Sequence, residues 1–382
     1  MKRHKTALAL IATLLTALVA LPAAASGSAG WEAAGSTHVA HSLSHTGTTL
    51  HGNDVLVTGG LADGDDTTAG ADVYDAQSGV WAAVADMSVP RSNHSATRLH
   101  NGKVVAAGGI DQRSCWPATC DIILHETAEL FHPKTGTWTA LTPMPRPRSF
   151  HDAVLLHDGR VLVTGGFDET QAVASAETYR PTSDAWSAVA PMTTPRWGHR
   201  ATLLNNGKVL VAGGYDGDGN PLASAQLYDP VKDIWTPTGS MSDPRAAFTA
   251  TRLNNGQVLA AGGLQTNPFT SPGFVGLSTA ETYDPKTETW TPTEAMTGPR
   301  FEHAAAPLLA GSVLVAGGQD AALHPIGSAE VYDPATRAWR ATAALSTARA
   351  APVASSLPGG SVLVTGGFVL GQPLASAELY TP

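Results

Sequence analysis

The chain has 382 residues, with 23 lysines and arginines against 32 aspartates and glutamates, a formal net charge of −9, and two cysteines. Binding to a phosphate backbone needs a basic stripe, so this balance argues against a nucleic-acid partner. The length would ordinarily suggest two or three domains, but a repeating unit fills the chain and makes one large assembly the better expectation.

Residues 1–25 read as an export signal. Lys2, Arg3 and Lys5 supply the positive start, Ala7 to Leu21 the apolar stretch, and Ala23-Ala24-Ala25 the small-residue cleavage site. That apolar stretch of 15 residues is short for a bilayer span, which needs roughly 20. A secreted or periplasmic protein beginning near Ser26, with no membrane span, is expected. Without the three leading basic residues the balance is 20 basic against 32 acidic, a charge of −12.

Trp31, in GWEAAG, opens the mature chain with a strand composition that has no partner strand before it. Beyond it, paired glycines close an apolar run seven times, at Gly59, Gly108, Gly165, Gly213, Gly262, Gly317 and Gly366, at intervals of 48 to 57 residues. Such a period marks propellers and solenoids. The second copy is followed by SCWPATC, in which Cys115 and Cys120 are expected to form a local disulfide after export.

One copy, Pro195 to Trp235, reads as four strands. RWGHRATLL leads into Asn206-Gly207, read as a two-residue hairpin. KVLVAGG is a second strand, apolar throughout because both its faces are covered. The glycines end it, permitting a sharp turn and close approach of a neighbouring sheet. SAQLYDP is a third strand, and Asp229-Pro230 turns the chain into a fourth carrying Trp235. Tyr74 and Trp81, Phe131 and Trp138, Tyr179 and Trp186, Tyr228 and Trp235, Tyr283 and Trp290, and Tyr332 and Trp339 are all seven apart. Aromatics placed so regularly are read as packing between sheets.

The apolar run, the glycine pair and the Tyr and Trp seven apart closely resemble the Kelch repeat, over essentially all of residues 31–382. The resemblance implies an all-β, seven-bladed β-propeller with four antiparallel strands per blade around a central channel. The last repeat stops at Tyr380 without a tryptophan strand, so the strand of Trp31 is expected to complete the seventh blade and remove the open edges. A monomer is expected.

Arg91, Arg148, Arg196, Arg245, Arg300 and Arg349 each stand 17 residues before a first glycine, where blade 1 has Ser42. Three residues on come His45, His94, His151, His199 and His303, with Phe248 and Pro352 in the remaining two blades. The first strand is innermost in the Kelch family, so these registers are expected to ring one channel mouth, on the face that carries the loops after each glycine pair. A structural role competes with this: the arginines would bond backbone carbonyls or Glu129, Glu177, Glu281, Glu330 and Glu378. Residues that break the repeat beside these registers are the more informative: Trp197 beside Arg196, Phe301 and Glu302 beside Arg300, and Phe150 beside His151; these, with His199 and with Trp116 in an enlarged loop, are the candidates for binding. Aromatics beside arginines could stack on a sugar or clamp an acidic peptide.

Galactose oxidase, a copper radical enzyme, also uses a seven-bladed Kelch propeller. The position 15 before each first glycine, where such an enzyme would need Tyr or Cys, holds Ser44, Asn93, Phe150, Gly198, Ala247, Glu302 and Ala351. A sugar mutarotase on the same scaffold would want a carboxylate and an arginine, for which Glu302 with Arg300 or Arg196 is a loose fit. Asp216, Asp218 and Asn220 alternate as calcium ligands do but lack the later bidentate Glu. The expectation is therefore a non-enzymatic binding or scaffolding module for a protein or glycan, with no catalytic residues, metal or cofactor; a carbohydrate-active enzyme is the alternative.

Overall fold

The apolar run before each glycine pair becomes the second strand of a four-stranded antiparallel sheet, and in every copy all four of its residues are buried. This is a computed structural model, and it describes residues 30–62, 66–112, 122–270 and 273–382. The export signal expected at residues 1–25 lies outside the described residues, as do Cys115, Trp116 and Cys120 and the disulfide expected there.

Seven such sheets are present. Blade 1 runs Thr46–Thr49, Val55–Thr58, Ala71–Asp75 and Val80–Ala83, and the next five repeat that order along the chain. Blade 7 takes Val353–Ser356, Val362–Thr365 and Ser376–Tyr380 from one end of the chain and Trp31–Ser36 from the other. Trp31 is the cross-strand partner of Tyr380, and its indole N–H donates to Ala343 O of blade 6 at 2.7 Å.

The seven-residue spacing of Tyr and Trp places them opposite one another across the third and fourth strands, as at Tyr228 and Trp235. Ring centroids lie 4.9–5.2 Å apart, a geometry worth about 0.5–1.5 kcal/mol beyond the area buried. The indole N–H then reaches the preceding blade in five of the six pairs, as Trp235 does to Ala190 O at 2.7 Å; that of Trp339 meets no acceptor. One residue type thus fixes both a turn within a blade and a seam between blades.

The hairpin between the first two strands differs from the sequence expectation. Gly207 N–H donates to Leu204 O and Leu204 N–H to Lys208 O. The turn is therefore centred on Asn205-Asn206, with Gly207 in the left-handed region at φ +82°, a three-residue loop closed by a glycine bulge.

Candidate functional site

Each glycine pair meets two neighbours at once. A Cβ on Gly108 would lie 2.7 Å from Arg148 O and 2.7 Å from the His151 ring, both in the next blade. One on Gly109 would meet Ser92 O and the His94 side chain of its own blade. Both glycines take positive φ. The pair turns the chain while letting two backbones touch, and Gly109 N–H uses the contact to donate to Arg148 O at 2.8 Å. The equivalent bond forms at all seven seams, the last running from Gly367 N–H to His41 O.

The arginine register turns inward, away from the channel. Arg196 and Arg300 are buried with the other four. Arg300 donates from Nη1 to Gly317 O (3.3 Å) and Ser328 O (3.0 Å), and from Nη2 to the Ser328 hydroxyl and Glu330 Oε1 (2.7 Å). Arg91, Arg148, Arg245 and Arg349 pair likewise with Glu129, Glu177, Glu281 and Glu378. Their role is to pin the loop before the first strand to the third strand of the same blade. They do not ring the mouth, because a guanidinium with five donors is held by a carboxylate and carbonyls that exist inside the sheet.

Two blades vary this device. In blade 4 the neutral amide of Gln226 stands in place of the carboxylate, and burial pushes Arg196 down to about 10. In blade 1 the residue acting as the arginine is His41 rather than Ser42 or any side chain in the counted position. A one-residue insertion, accommodated by positive φ at Leu43 and Ser44, shifts the register, and His41 and Asp72 take the places of arginine and glutamate.

The histidines border the cavity but face the preceding blade. Nε2 of His94, His151, His199 and His303 pairs with the hydroxyls of Thr58, Ser95, Thr164 and Thr249 at 2.9–3.1 Å, and that of His45 donates to Thr365 O. Burial pushes His45 and His151 down to about 3 and the other three well below the usual range. They are neutral seam residues, unable to serve as acids near neutral pH.

Between each arginine and histidine stands the residue that does face the channel. Ser44, Asn93, Phe150, Gly198, Ala247, Glu302 and Ala351, one per blade, all have positive φ and all line one cavity of about 690 Å³. Phe150 N–H bonds Asn93 O and Ala351 N–H bonds Glu302 O, so this ring is stitched blade to blade. Trp197 and Phe301 precede it by one residue and join the wall: Trp197 packs on Tyr215 (4.5 Å), Phe150 (5.4 Å) and Phe269 (6.2 Å), and Phe301 on Phe274 (6.4 Å). Glu302 Oε2 accepts from Gln319 Nε2 at 2.8 Å. Burial raises its carboxyl pKa, and the Gln319 bond only partly offsets that. Asp152, also raised by burial, faces the same cavity as Arg200.

Of the residues expected to bind, Phe150, His151, Trp197, His199, Phe301 and Glu302 are brought together at this mouth; Arg196 and Arg300 are not. Tyr215, Gln319, Phe269, Phe274, Asp152 and Arg200 belong with them and were missed. A signal existed for two of these. Tyr215 and Gln319 sit two residues beyond a first glycine, where they bridge Trp197 and Phe301.

Three stretches, 153–193, 196–242 and 300–346, match the model of the Kelch motif. The chain is a Kelch-repeat β-propeller. Among solved structures this Kelch propeller is similar to a fungal alcohol oxidase of the AA5 family, in complex with copper, at a TM-score of 0.70 and 16% identity over 90% of this chain and 75% of that one. It is also similar to the protein solved as YjhT, at a TM-score of 0.62 and 17% identity over 80% of this chain and 99% of that one. Both likenesses concern the fold. Among the described residues no three His, Cys, Asp or Glu are grouped to hold a metal ion, and the seven residues that face the channel include no histidine, cysteine or tyrosine.

Proposed function

We propose that this Kelch propeller is an exported binding module that captures a protein or glycan ligand at the mouth carrying the glycine-pair loops. One observation carries the reading. Seven residues in the same register, otherwise free of the repeat's packing duties, line a single cavity and differ in nearly every blade. Structural positions of this fold repeat, whereas these vary, as a surface shaped for a ligand would. The aromatic wall from Phe150 to Phe301 supplies apolar area at little entropic cost. Export rests on the pattern of residues 1–25.

The test is capture from glycan and peptide arrays by the purified chain, compared with Phe269→Ser and Phe274→Ser together. Phe269 is 40% exposed, so the fold should tolerate the change. Loss of the captured ligand is expected; undiminished capture rejects the mouth.

A second reading, acid–base chemistry on a bound sugar, draws on Glu302, whose raised carboxyl suits a proton donor. Turnover of a captured sugar that Glu302→Gln abolishes would favour it over binding alone.

A further inference from the structure

The first strand starts and the second ends on one face, so the loops between second and third strands all surround the mouth. Among their described residues are eight aspartates and glutamates, including the exposed Glu126, Glu169 and Asp218, and no lysine or arginine. The turns of the opposite face, between first and second and between third and fourth strands, hold five acidic and seven basic residues. The loops that follow the glycine pairs are therefore acidic around the aromatic mouth, whereas the turns of the opposite face are not; on the mouth side the connections from fourth to first strands add Asp86, Asp243, Glu294 and Arg146 besides the buried arginine register. The glycine-pair loops expose Ile123, Phe269, Val275 and Leu370 at 40–53%.

Inside the mouth a second observation points the same way. Gln319 is 5% exposed, and while its Nε2 serves Glu302, its Oε1 is buried and meets no donor of the protein. Glu302 and Gln319 line the cavity together with Trp197 and Phe301, the Glu302 carboxylate being the more exposed acceptor and Gln319 Oε1 the unpartnered one behind it. Acceptors flanked by aromatic rings suit an ammonium or guanidinium group. Arg200 also lines the cavity; its Nε–H is bound to Phe248 O at 2.9 Å, and the Asp152 carboxyl opposes its charge.

We propose that the partner of this mouth is a cationic peptide segment with interspersed apolar side chains, one lysine or arginine entering between Trp197 and Phe301 to meet Glu302 and Gln319. This rests on the binding role of the mouth and adds the sign of the ligand's charge, the reverse of the acidic peptide that buried Arg196 and Arg300 had suggested. Acidic loops would steer such a segment and reject anionic ones.

The test uses fluorescein-labelled hexapeptides alternating lysine with leucine, glutamate with leucine, and serine with leucine, in anisotropy titrations against the full chain. The lysine peptide is expected to bind about tenfold or more tighter than the glutamate peptide, with an affinity that falls as salt rises. Glu302→Gln should weaken it about tenfold, and Glu169→Gln with Asp218→Asn about two- to threefold; Asp158→Asn, on the opposite face, should leave it unchanged. If Glu302→Gln fails to fold, the exposed pair carries the comparison. Equal or tighter binding of the glutamate peptide, or a lysine peptide indifferent to all the mouth and loop variants, overturns the proposal. If the glutamate or serine peptide binds and Phe269→Ser abolishes it, the mouth remains the binding site and only the charge preference falls. If Phe269→Ser changes the binding of no peptide, the mouth itself is the wrong surface.

Discussion

In blade 1, His41 donates from Nδ1 to Gly59 O at 2.7 Å and lies with Nε2 3.3 Å from Asp72 Oδ2. It is the pair that elsewhere is an arginine and a glutamate, and its own carbonyl takes the bond from Gly367 that joins blade 7 to blade 1. Burial alone would raise the Asp72 carboxyl; hydrogen bonds from His41 and His38 outweigh it and hold the pKa below the ordinary value. A depressed carboxylate stabilises the fold above its unfolded pKa, about 3.9, and loses that contribution as pH falls through the folded value. Asp72→Asn should thus cost about 1–3 kcal/mol near neutral pH and approach the parent protein below about pH 3. Melting curves at both ends check this, and a gap that stays constant with pH refutes the assignment.

The seam histidines carry an acid sensitivity of their own. His151 titrates at about 3 in the fold because burial disfavours its cation, with the Arg148 charge adding to this. Its unfolded pKa is near 6.5. Between these values the unfolded chain takes a proton that the fold refuses, so stability is complete above about pH 6.5 and declines on acidification. His151→Phe, the residue blade 5 uses at Phe248, should cost about 1 kcal/mol near pH 7 by losing the Ser95 bond. Its acid decline should be shallower, so the two stability curves converge or cross. Urea titrations across this range would show it; parallel curves would mean His151 is not the group responsible.

Two glycines with the same φ should respond differently to alanine. Gly108 and Gly198 stand at φ +67° and +61°. A Cβ on Gly108 meets backbone oxygen at 2.7 Å, whereas one on Gly198 has its nearest neighbour at 3.9 Å. Gly198→Ala should cost only the conformational term, about 1 kcal/mol, as Ala247 and Ala351 already illustrate at the same register. Gly108→Ala adds an overlap with the next blade and should cost about 3 kcal/mol or more. Equal losses in denaturant titrations would contradict this account of the glycine pair.

Blade 4 lacks a counter-charge for Arg196, and Gln226 Nε2 is buried without an acceptor. Gln226 Oε1 already receives the N–H and hydroxyl of Thr193 at 2.9 Å, as Glu330 receives those of Thr297. Gln226→Glu keeps these bonds and supplies the missing carboxylate, so it should stabilise the chain by about 1–2 kcal/mol near neutral pH. The gain should vanish in acid. A lower melting temperature near pH 7 would show that Arg196 does not need the pair.

Blade number, strand order and ring closure were all readable from residue spacing, because a propeller repeats its packing and a repeat leaves its period in the chain. The counted register of Ser44, Phe150, Glu302 and their equivalents even marked the ring that lines the mouth. Spacing does not say which way a side chain points. Arginine, channel residue and histidine follow one another within four positions, yet one turns into its own sheet, one to the cavity and one to the neighbouring blade. Positive φ at the middle residue decides that division, and it exists only once adjacent blades bond across the seam. For the same reason His41 was invisible: a one-residue insertion breaks the count, while the packed ring still places an imidazole where the other blades place a guanidinium.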